Sequence, residues 1–435
     1  MRSEAGREDR THRLSATDSA RLGEIASMST PSIVVIGAGA AGLTAAIFAA
    51  REGADVRVIE STRKGGKKIV VSGGGRCNVL PSELDPSRYV TASSARTMRR
   101  MLLAWSLDEQ RQFFEDDLGI PLALEPETGK LFPVSNRATD VRDGLVNAAL
   151  RAGASFQFDT RVTGLAPTET GWRVETSAGV TEADRVILAT GGLSVPKTGS
   201  DGFGLRAAED FGHAMHPTYP ALTPLLAGGD GAAPHAGLSG VSVTAHVHAP
   251  AGKRGVRTRG GFLFTHRGYS GPAVLDVSHL TTLARESGGE QEVRVQWAEH
   301  DAEAWTAALL APGAGLVLTT LRDALPNRLA EALLEEADVS PDRQRAELRK
   351  EERRRLVRVL TEYPLPWSGD EGYKKAEVTG GGVALGEVDP VTLESRRQAG
   401  LFFCGEVLDA FGPIGGYNFC WAWSTGRSAG WGAVR

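Results

Sequence analysis

Residues 32–60 constrain the fold of this chain more than any other stretch. Ser32-Ile33-Val34-Val35-Ile36 runs straight into Gly37-Ala38-Gly39-Ala40-Ala41-Gly42. A short unbroken apolar run of this kind suits a strand buried on both faces of a parallel sheet. Leu43 to Arg51 follows without a breaker and predicts a helix; Gly53 ends it, and Val56 to Ile59 give a second strand. The three glycines have separate tasks. Gly37 permits a tight turn, Gly39 lets backbone approach a pyrophosphate, and Gly42 lets helix and strand pack closely. The start of the helix then turns free N–H groups and the positive end of its dipole toward phosphate. Glu60 closes the second strand, 18 residues after Gly42, where a carboxylate accepts hydrogen bonds from a ribose. Strand, glycine turn, helix, second strand and acid stand in register, and together they predict a dinucleotide-binding α/β fold.

Further glycine turns recur along the chain. Ser72-Gly73-Gly74-Gly75-Arg76-Cys77-Asn78 reads as a loop whose backbone lies against a planar or phosphate-bearing ligand. In it Arg76 is placed to meet a pyrophosphate, and Cys77 stands either near a redox ring or as a small buried thiol. Asp159 to Leu165, with Val162 at its centre, ends a strand beside the adenine. Asp184 to Leu188 is a buried strand entering Ala189-Thr190-Gly191-Gly192, and Leu401 to Cys404 is another that ends on Gly405 and Glu406. An acid at 406 suits the hydroxyls of a ribityl chain. Gly415-Gly416-Tyr417-Asn418 opens a final helix, Phe419 to Trp431, whose first N–H groups suit the N1–C2=O edge of a reduced flavin.

Between these turns the pattern predicts helices over 94–118 and 139–151, with Leu103, Leu107, Phe113 and Phe114 on the apolar face, and strands over 154–160 and 171–176. Residues 217–300 alternate with period two between turn residues, which predicts an antiparallel sheet or barrel. His246 and His248 share a face there and, with no third ligand in view, read as a solvated strand face. Helices are expected over Leu321–Ala337 and Arg343–Leu360. The second mixes Arg349, Arg353, Arg354 and Arg358 with Glu347, Glu351 and Glu352, the pattern of a solvated face with i,i+4 pairs. Residues 1–28 are polar and lack a hydrophobic signal region, so they read as a disordered extension, with Met28 an alternative start. A net charge of −4 speaks against a generally nucleic-acid-seeking protein, and no run of 18 apolar residues occurs to cross a membrane. Three scattered cysteines fit a reducing, cytoplasmic setting.

The motifs Gly37–Gly42, Ser72–Asn78, Ala189–Gly192, Val378-Thr379-Gly380-Gly381-Gly382-Val383, Gly405-Glu406-Val407-Leu408-Asp409 and Gly415–Asn418 resemble those of the BaiN-like (YhiN-type) NAD(P)/FAD-dependent oxidoreductases, also described as aminoacetone-oxidase-like flavoproteins. The resemblance spans about 33–430. It implies a discontinuous Rossmann-like FAD domain interrupted by an antiparallel β domain and a small helical one. The expected division is 1–30 extension, 31–205 first part of the FAD domain, 206–315 inserted β domain, 316–368 helical domain and 369–435 second part of the FAD domain. By the resemblance, Gly37, Gly39, Ala41, Gly42 and Glu60 hold the ADP half of FAD. Gly75, Arg76, Cys77 and Asn78 lie near the pyrophosphate or flavin, Val162, Thr190, Gly191 and Gly192 line the cleft, Gly405 and Glu406 hold the ribityl–pyrophosphate region, and Gly415, Gly416, Tyr417 and Asn418 the isoalloxazine. Tyr417 and Cys77 are the side chains expected to touch the reacting ring, and no catalytic acid or base is named. The expected activity is oxidoreduction of a small-molecule substrate, with NAD(P)H as transient donor and no metal. Only one G-x-G-x-x-G occurs, so no second dinucleotide domain is in view and an amine oxidase using oxygen stays open. So does a flavin-dependent RNA-modifying or redox-sensing protein using the helix around Arg353.

Overall fold

The computed structural model describes residues 30–228, 235–251 and 255–435; the extension, with the choice between Met1 and Met28, lies outside them. The protein is mixed α/β. β1 (Ser32–Ile36) lies at the centre of a five-stranded parallel sheet, between β2 (Asp55–Ile59) on one side and a later strand on the other. With β3 (Ser155–Gln157) and β4 (Arg185–Leu188), the order is Leu401–Phe403, β4, β1, β2, β3. The apolar runs of β1 and β4 lie inside the sheet and Leu401–Phe403 forms one edge of it, and all three are buried because both of their faces are covered.

α1 (Ala40–Arg51) is buried on every side from Ala41 to Ala50, which its alanine content permits. The C-terminal helix Tyr417–Gly432 crosses it at backbone contact. A Cβ on Gly426 or Gly430 would stand 2.4 Å from the carbonyl oxygen of Ala41 or Ala45. Chain end and chain start are thus locked together, and this brings the last glycine turn to the first.

Several elements differ from the sequence expectation. The stretch 94–118 is not one helix. Ala95–Leu102 ends at Leu103, which is exposed rather than packed, and Ser106 opens Leu107–Gln112 through a capping box with Glu109. The strand expected to 160 stops at Gln157, and Val162 begins a separate antiparallel sheet, Val162–Pro167, Trp172–Thr176 and Gly179–Ala183. Residues 67–75 coil into α2 (Lys67–Val71) and a 3-10 turn rather than an open loop. The helix expected over 321–337 is two, Val317–Arg322 and Asn327–Glu336, because Pro326 supplies no N–H and stands as the cap of the second.

Residues 225–370 contribute seven short strands to one sheet, in which β5 (Ser242–Ala249) pairs with β6 (Val256–Phe264) in antiparallel register. Phe264 stacks on Trp297 in its core, at 5.5 Å between ring centroids. A helix, α3 (Pro272–Glu286), lies within the stretch read as strands throughout. Pro272 stands in its first turn, where a missing N–H costs nothing, and Val274, Leu275, Val277 and Ser278 are buried along it. The arginine-rich helix is shorter than expected, α4 (Lys350–Thr361), and Arg355 pairs with Asp338. His246 contacts Glu299, and the described residues hold no group of three metal-ligating side chains. None of their helices is long and apolar enough to cross a membrane.

Candidate functional site

The glycines of the first turn divide their tasks in space. Gly37 has φ +104°, and a Cβ on it would stand 2.6 Å from the carbonyl oxygen of Ala189. At Gly42 the Cβ would lie 1.9 Å from the carbonyl oxygen of Gly37. Both are required by packing. Gly39 is different. Its backbone is extended (φ −81°, ψ −171°), and no atom of the protein lies within 4 Å of the place a Cβ would take. The fold does not need glycine there, yet the position opens on a cleft at the N-terminus of α1. That is the cradle a pyrophosphate requires, so the residues present fit a bound dinucleotide.

The cleft has a volume of about 560 Å³. Gly37, Gly39, Ala41, Glu60 and Val162 line it, as do Thr190 and Gly191 at the end of β4. Gly405 and Glu406 reach it from the strand Leu401–Phe403, and Asn78, Gly415, Gly416 and Asn418 close the far side. Turns separated by almost the whole chain therefore face one cavity. The Glu60 carboxylate accepts the N–H groups of Ala38 (2.8 Å) and Thr62 (2.7 Å), which fixes it at the turn. Asn78 ties the last turn down: with its amide oxygen and nitrogen exchanged so that both find partners, the oxygen accepts from the Gly416 N–H at 3.0 Å and the nitrogen donates to the Leu80 carbonyl at 3.1 Å. Asn418 clamps Gly412 through both ends of its amide. Arg76 also borders the cleft, paired with Glu125 at 3.0 Å and lying 4.0 Å over the Phe132 ring.

Five of the expected residues do not reach the lining. Gly42 is used in helix–strand packing, and a Cβ on Gly192 would stand 2.4 Å from Thr379 Oγ1. Gly75 lies behind Gly73 and Gly74, which border the cleft in its place. Cys77 is fully buried with φ +62°, and burial pushes its thiol up to about 12, so it is a small core residue and not a redox group. The Tyr417 ring turns away onto Tyr89 and Arg88, and its hydroxyl donates to the Glu83 carbonyl at 3.2 Å.

Sequence reasoning missed a polar network inside the same cleft. Lys68 Nζ stands 2.8 Å from Glu406 Oε2, and the Ser194 hydroxyl bridges them, 2.6 Å from Nζ and 2.8 Å from Oε1. The Thr379 N–H donates to the same Oε1 at 3.0 Å. Lys68 follows Gly65-Gly66-Lys67, but its partner lies 338 residues further along, a pairing no local signal carries. Glu377 stands nearby, reached by solvent yet enclosed by protein. The loss of hydration raises its carboxyl above the usual range, and the Lys68 ammonium works against that rise. Pro272 and Leu275 of α3 also border the cleft, and Leu275 packs in a small cluster with Tyr219, Val378 and Phe411.

A parallel sheet with its glycine turn, a cradle at Gly39 and one cleft fed from both chain ends define an FAD-dependent oxidoreductase of the Rossmann type. The chain belongs to the HI0933-like protein Rossmann domain family, which matches residues 31–432. It is 32% identical to the ribosomal RNA dihydrouridine synthase of Escherichia coli (strain K12) over 402 residues, 90% of this chain and 95% of that one. It is 33% identical to the 3-dehydro-bile acid delta(4,6)-reductase of Clostridium scindens over 406 residues, 92% and 98% of the two chains. Among solved structures it is similar to the 3-ketosteroid-delta4-(5alpha)-dehydrogenase of Rhodococcus jostii RHA1, at 17% identity and a TM-score of 0.48, covering 93% and 96% of the two chains.

Proposed function

We propose that the protein is an FAD-dependent reductase that saturates a carbon–carbon double bond conjugated to a carbonyl, with NADH or NADPH as electron donor. The observation that carries this reading is the cleft, in which cofactor turns from both chain ends face Pro272 and Leu275 of α3, the helix packed on β5 and β6. The names of the two relatives agree with it, since forming dihydrouridine and reducing a delta(4,6) 3-dehydro steroid both saturate such a bond. In this reading Gly37, Gly39 and Ala41 hold the pyrophosphate, and Glu60 and Val162 the adenosine. Gly405 and Glu406 hold the ribityl chain, Gly415, Gly416 and Asn418 meet the pyrimidine edge, and Arg76, Asn78, Thr190 and Gly191 wall the cleft. The bound flavin supplies the hydride chemistry. The described residues form one parallel sheet, so the nicotinamide donor docks transiently in the same cleft. The domain division at 31–205, 206–315, 316–368 and 369–435 belongs to this reading, as does a cytoplasmic setting, which the free thiols of Cys77, Cys404 and Cys420 suit.

A second reading, in which the double bond belongs to a uracil carried in RNA, is favoured by four exposed lysines near the cleft. Lys67, Lys197, Lys374 and Lys375 have no salt-bridge partner among the described residues. Lys67 Nζ reaches the Lys197 carbonyl at 3.5 Å, and the Val195 N–H donates to the Tyr373 carbonyl at 2.8 Å, which brings the four together. The net charge of −4 is a chain-wide balance and does not describe this local rim. Anaerobic mixing with NADH or NADPH, followed by addition of an enone or a uridine-containing RNA, tests both readings. Bleaching of the 450 nm band and its return with one acceptor are expected. Bleaching by an amine, with return only on admitting oxygen, indicates an oxidase instead.

A further inference from the structure

Saturating a conjugated double bond adds a hydride and a proton, and the proton needs a donor inside the cleft. No histidine or tyrosine of the described residues borders it, and its cysteine, Cys404, is fully buried. Four carboxyl groups do border it. Glu60 is held by two N–H groups, Glu406 by Lys68, Ser194 and Thr379, and Asp201 by Arg161 at 2.8 Å. Asp276 of α3, which accepts the Ile414 N–H at 2.7 Å, is not among them. Glu377 is the fourth, and its carboxyl has no hydrogen-bond or ion-pair partner among the described residues.

The backbone sets where that carboxyl stands. Ala376 before it and Val378 after it are buried, whereas Glu377 is exposed, so its side chain projects into the open space of the cleft. Its N–H donates to the Leu222 carbonyl at 3.1 Å, and its own carbonyl oxygen lies 3.3 Å from the Ser194 hydroxyl. The same hydroxyl touches Glu406, the ribityl contact of the reading above. On the other side, Val378 packs with Leu275 on the apolar wall. Glu377 therefore stands at the junction between the ribityl contacts and that wall. The flavin ring follows directly on the ribityl chain, so the junction adjoins the reacting part of the cleft. The charged groups beside it are Lys68 on α2 and, across Ser194, Glu406; Lys374 and Lys375 precede it in the chain, and α3 brings only Pro272 and Leu275 to the cleft. Lost hydration outweighs the Lys68 ammonium and holds the carboxyl above its ordinary 4.5, so part of it keeps its proton where an ordinary glutamate has ionised.

We infer that Glu377 is the proton donor of the proposed reduction, delivering its carboxyl proton to the carbon next to the substrate carbonyl. The assignment rests on the reductase reading above. The O–H bond of the carboxyl breaks and a C–H bond forms at that carbon. The other carbon of the double bond takes the hydride, with both electrons, from the cofactor that NADH or NADPH has reduced. The Glu377 carboxylate left behind is stabilised by the Lys68 ammonium until it regains a proton from water.

Two measurements test this on the FAD-loaded protein and two variants: Glu377→Gln keeps the size of the side chain without the acid, and Glu377→Asp keeps the acid. In the first, protein carrying 13C at its glutamate carboxyls is reduced with dithionite and titrated by NMR with no acceptor present. The resonance missing from E377Q should titrate above 4.5 in the wild type. In the second, the same reduced proteins are mixed anaerobically with cyclohex-2-en-1-one or 4-androstene-3,17-dione, and return of the 450 nm band is timed from pH 5 to 9 in H2O and D2O. The wild-type rate should fall as pH rises, with the midpoint found by NMR, and show a solvent isotope effect. E377Q should keep its FAD and its apparent affinity for the enone, react about 100-fold more slowly and lose the pH dependence, which E377D should recover. A wild type that reacts while E377Q matches it, an E377Q that loses its FAD, or an E377D indistinguishable from E377Q overturns the assignment. So does a Glu377 resonance titrating at or below 4.5, or a pH dependence that survives in E377Q and vanishes in Lys130→Met, since Lys130 also borders the cleft. A wild type inert to these enones and to a uridine-containing RNA overturns the reductase reading itself.

Discussion

Replacing Gly39 by valine separates what the fold needs from what the cofactor needs. The new side chain enters space where no protein atom lies within 4 Å of Cβ, and the extended backbone at φ −81° is open to a β-branched residue. The cost to the cofactor-free protein is then limited to a poorer helix cap, about 1 kcal/mol, or roughly 2 °C in melting temperature for a chain of this size. The cost to FAD is larger, because the valine occupies the path of the pyrophosphate and lifts it from the first N–H groups of α1. Two charge-assisted hydrogen bonds lost, at about 1.5–3 kcal/mol each, weaken binding by roughly 10²- to 10⁴-fold. Gly42→Ala is the contrasting case. Its Cβ would meet the Gly37 carbonyl oxygen at 1.9 Å, so it should destabilise the apoprotein itself by about 1–3 kcal/mol. The ratio of absorbance at 450 and 280 nm, FAD titration by fluorescence quenching and thermal melts of both apoproteins read out the contrast. A G39V protein that binds FAD with wild-type affinity, or whose apo form is unfolded while G42A melts normally, refutes the reasoning.

Three further outcomes are expected. Cys77, Cys404 and Cys420 are buried and burial raises all three thiols, so the native protein should show no fast-reacting thiol toward Ellman's reagent at pH 8; a rapid stoichiometric reaction would reinstate Cys77 as a reactive group. Lys68→Met leaves Glu406 without its cation, while Ser194 and Thr379 still donate to it. Because both partners are partly exposed, a loss of about 1 kcal/mol and a lowered FAD affinity are expected, and unchanged melting and titration curves would count against the network. For Asp276 the folded value of about 6 lies above the ordinary 3.8, so its contribution to stability is full below pH 3.8 and is lost as pH rises through 6. D276N should therefore match the wild type at pH 4 and exceed it by about 1–3 kcal/mol at pH 8 in urea melts. His279, pushed down to about 4 by burial, titrates in both proteins and cancels in the difference; a difference independent of pH contradicts the burial of Asp276.

The local physics of the chain was legible wherever neighbouring residues decide it. Ile33 to Ile36 had to be a doubly covered strand, Gly37 had to turn, and Glu60 had to end the second strand, because strand burial, positive φ and the βαβ spacing are short-range matters. Tertiary structure decided the rest. It turned Tyr417 and Cys77 away from the cleft, since each is anchored by groups that are neighbours only in space: the Glu83 carbonyl and the Arg88 and Tyr89 side chains for the first, burial in the main core for the second. It folded Pro272–Glu286 as a helix where alternation suggested strands, and that helix brings Pro272 and Leu275 to the cleft. It joined Lys68 to Glu406, and Gly426 and Gly430 to α1. Glycine turns announce a ligand because they act through the backbone alone. Which side chains face that ligand depends on contacts between segments hundreds of residues apart, and no local pattern encodes those.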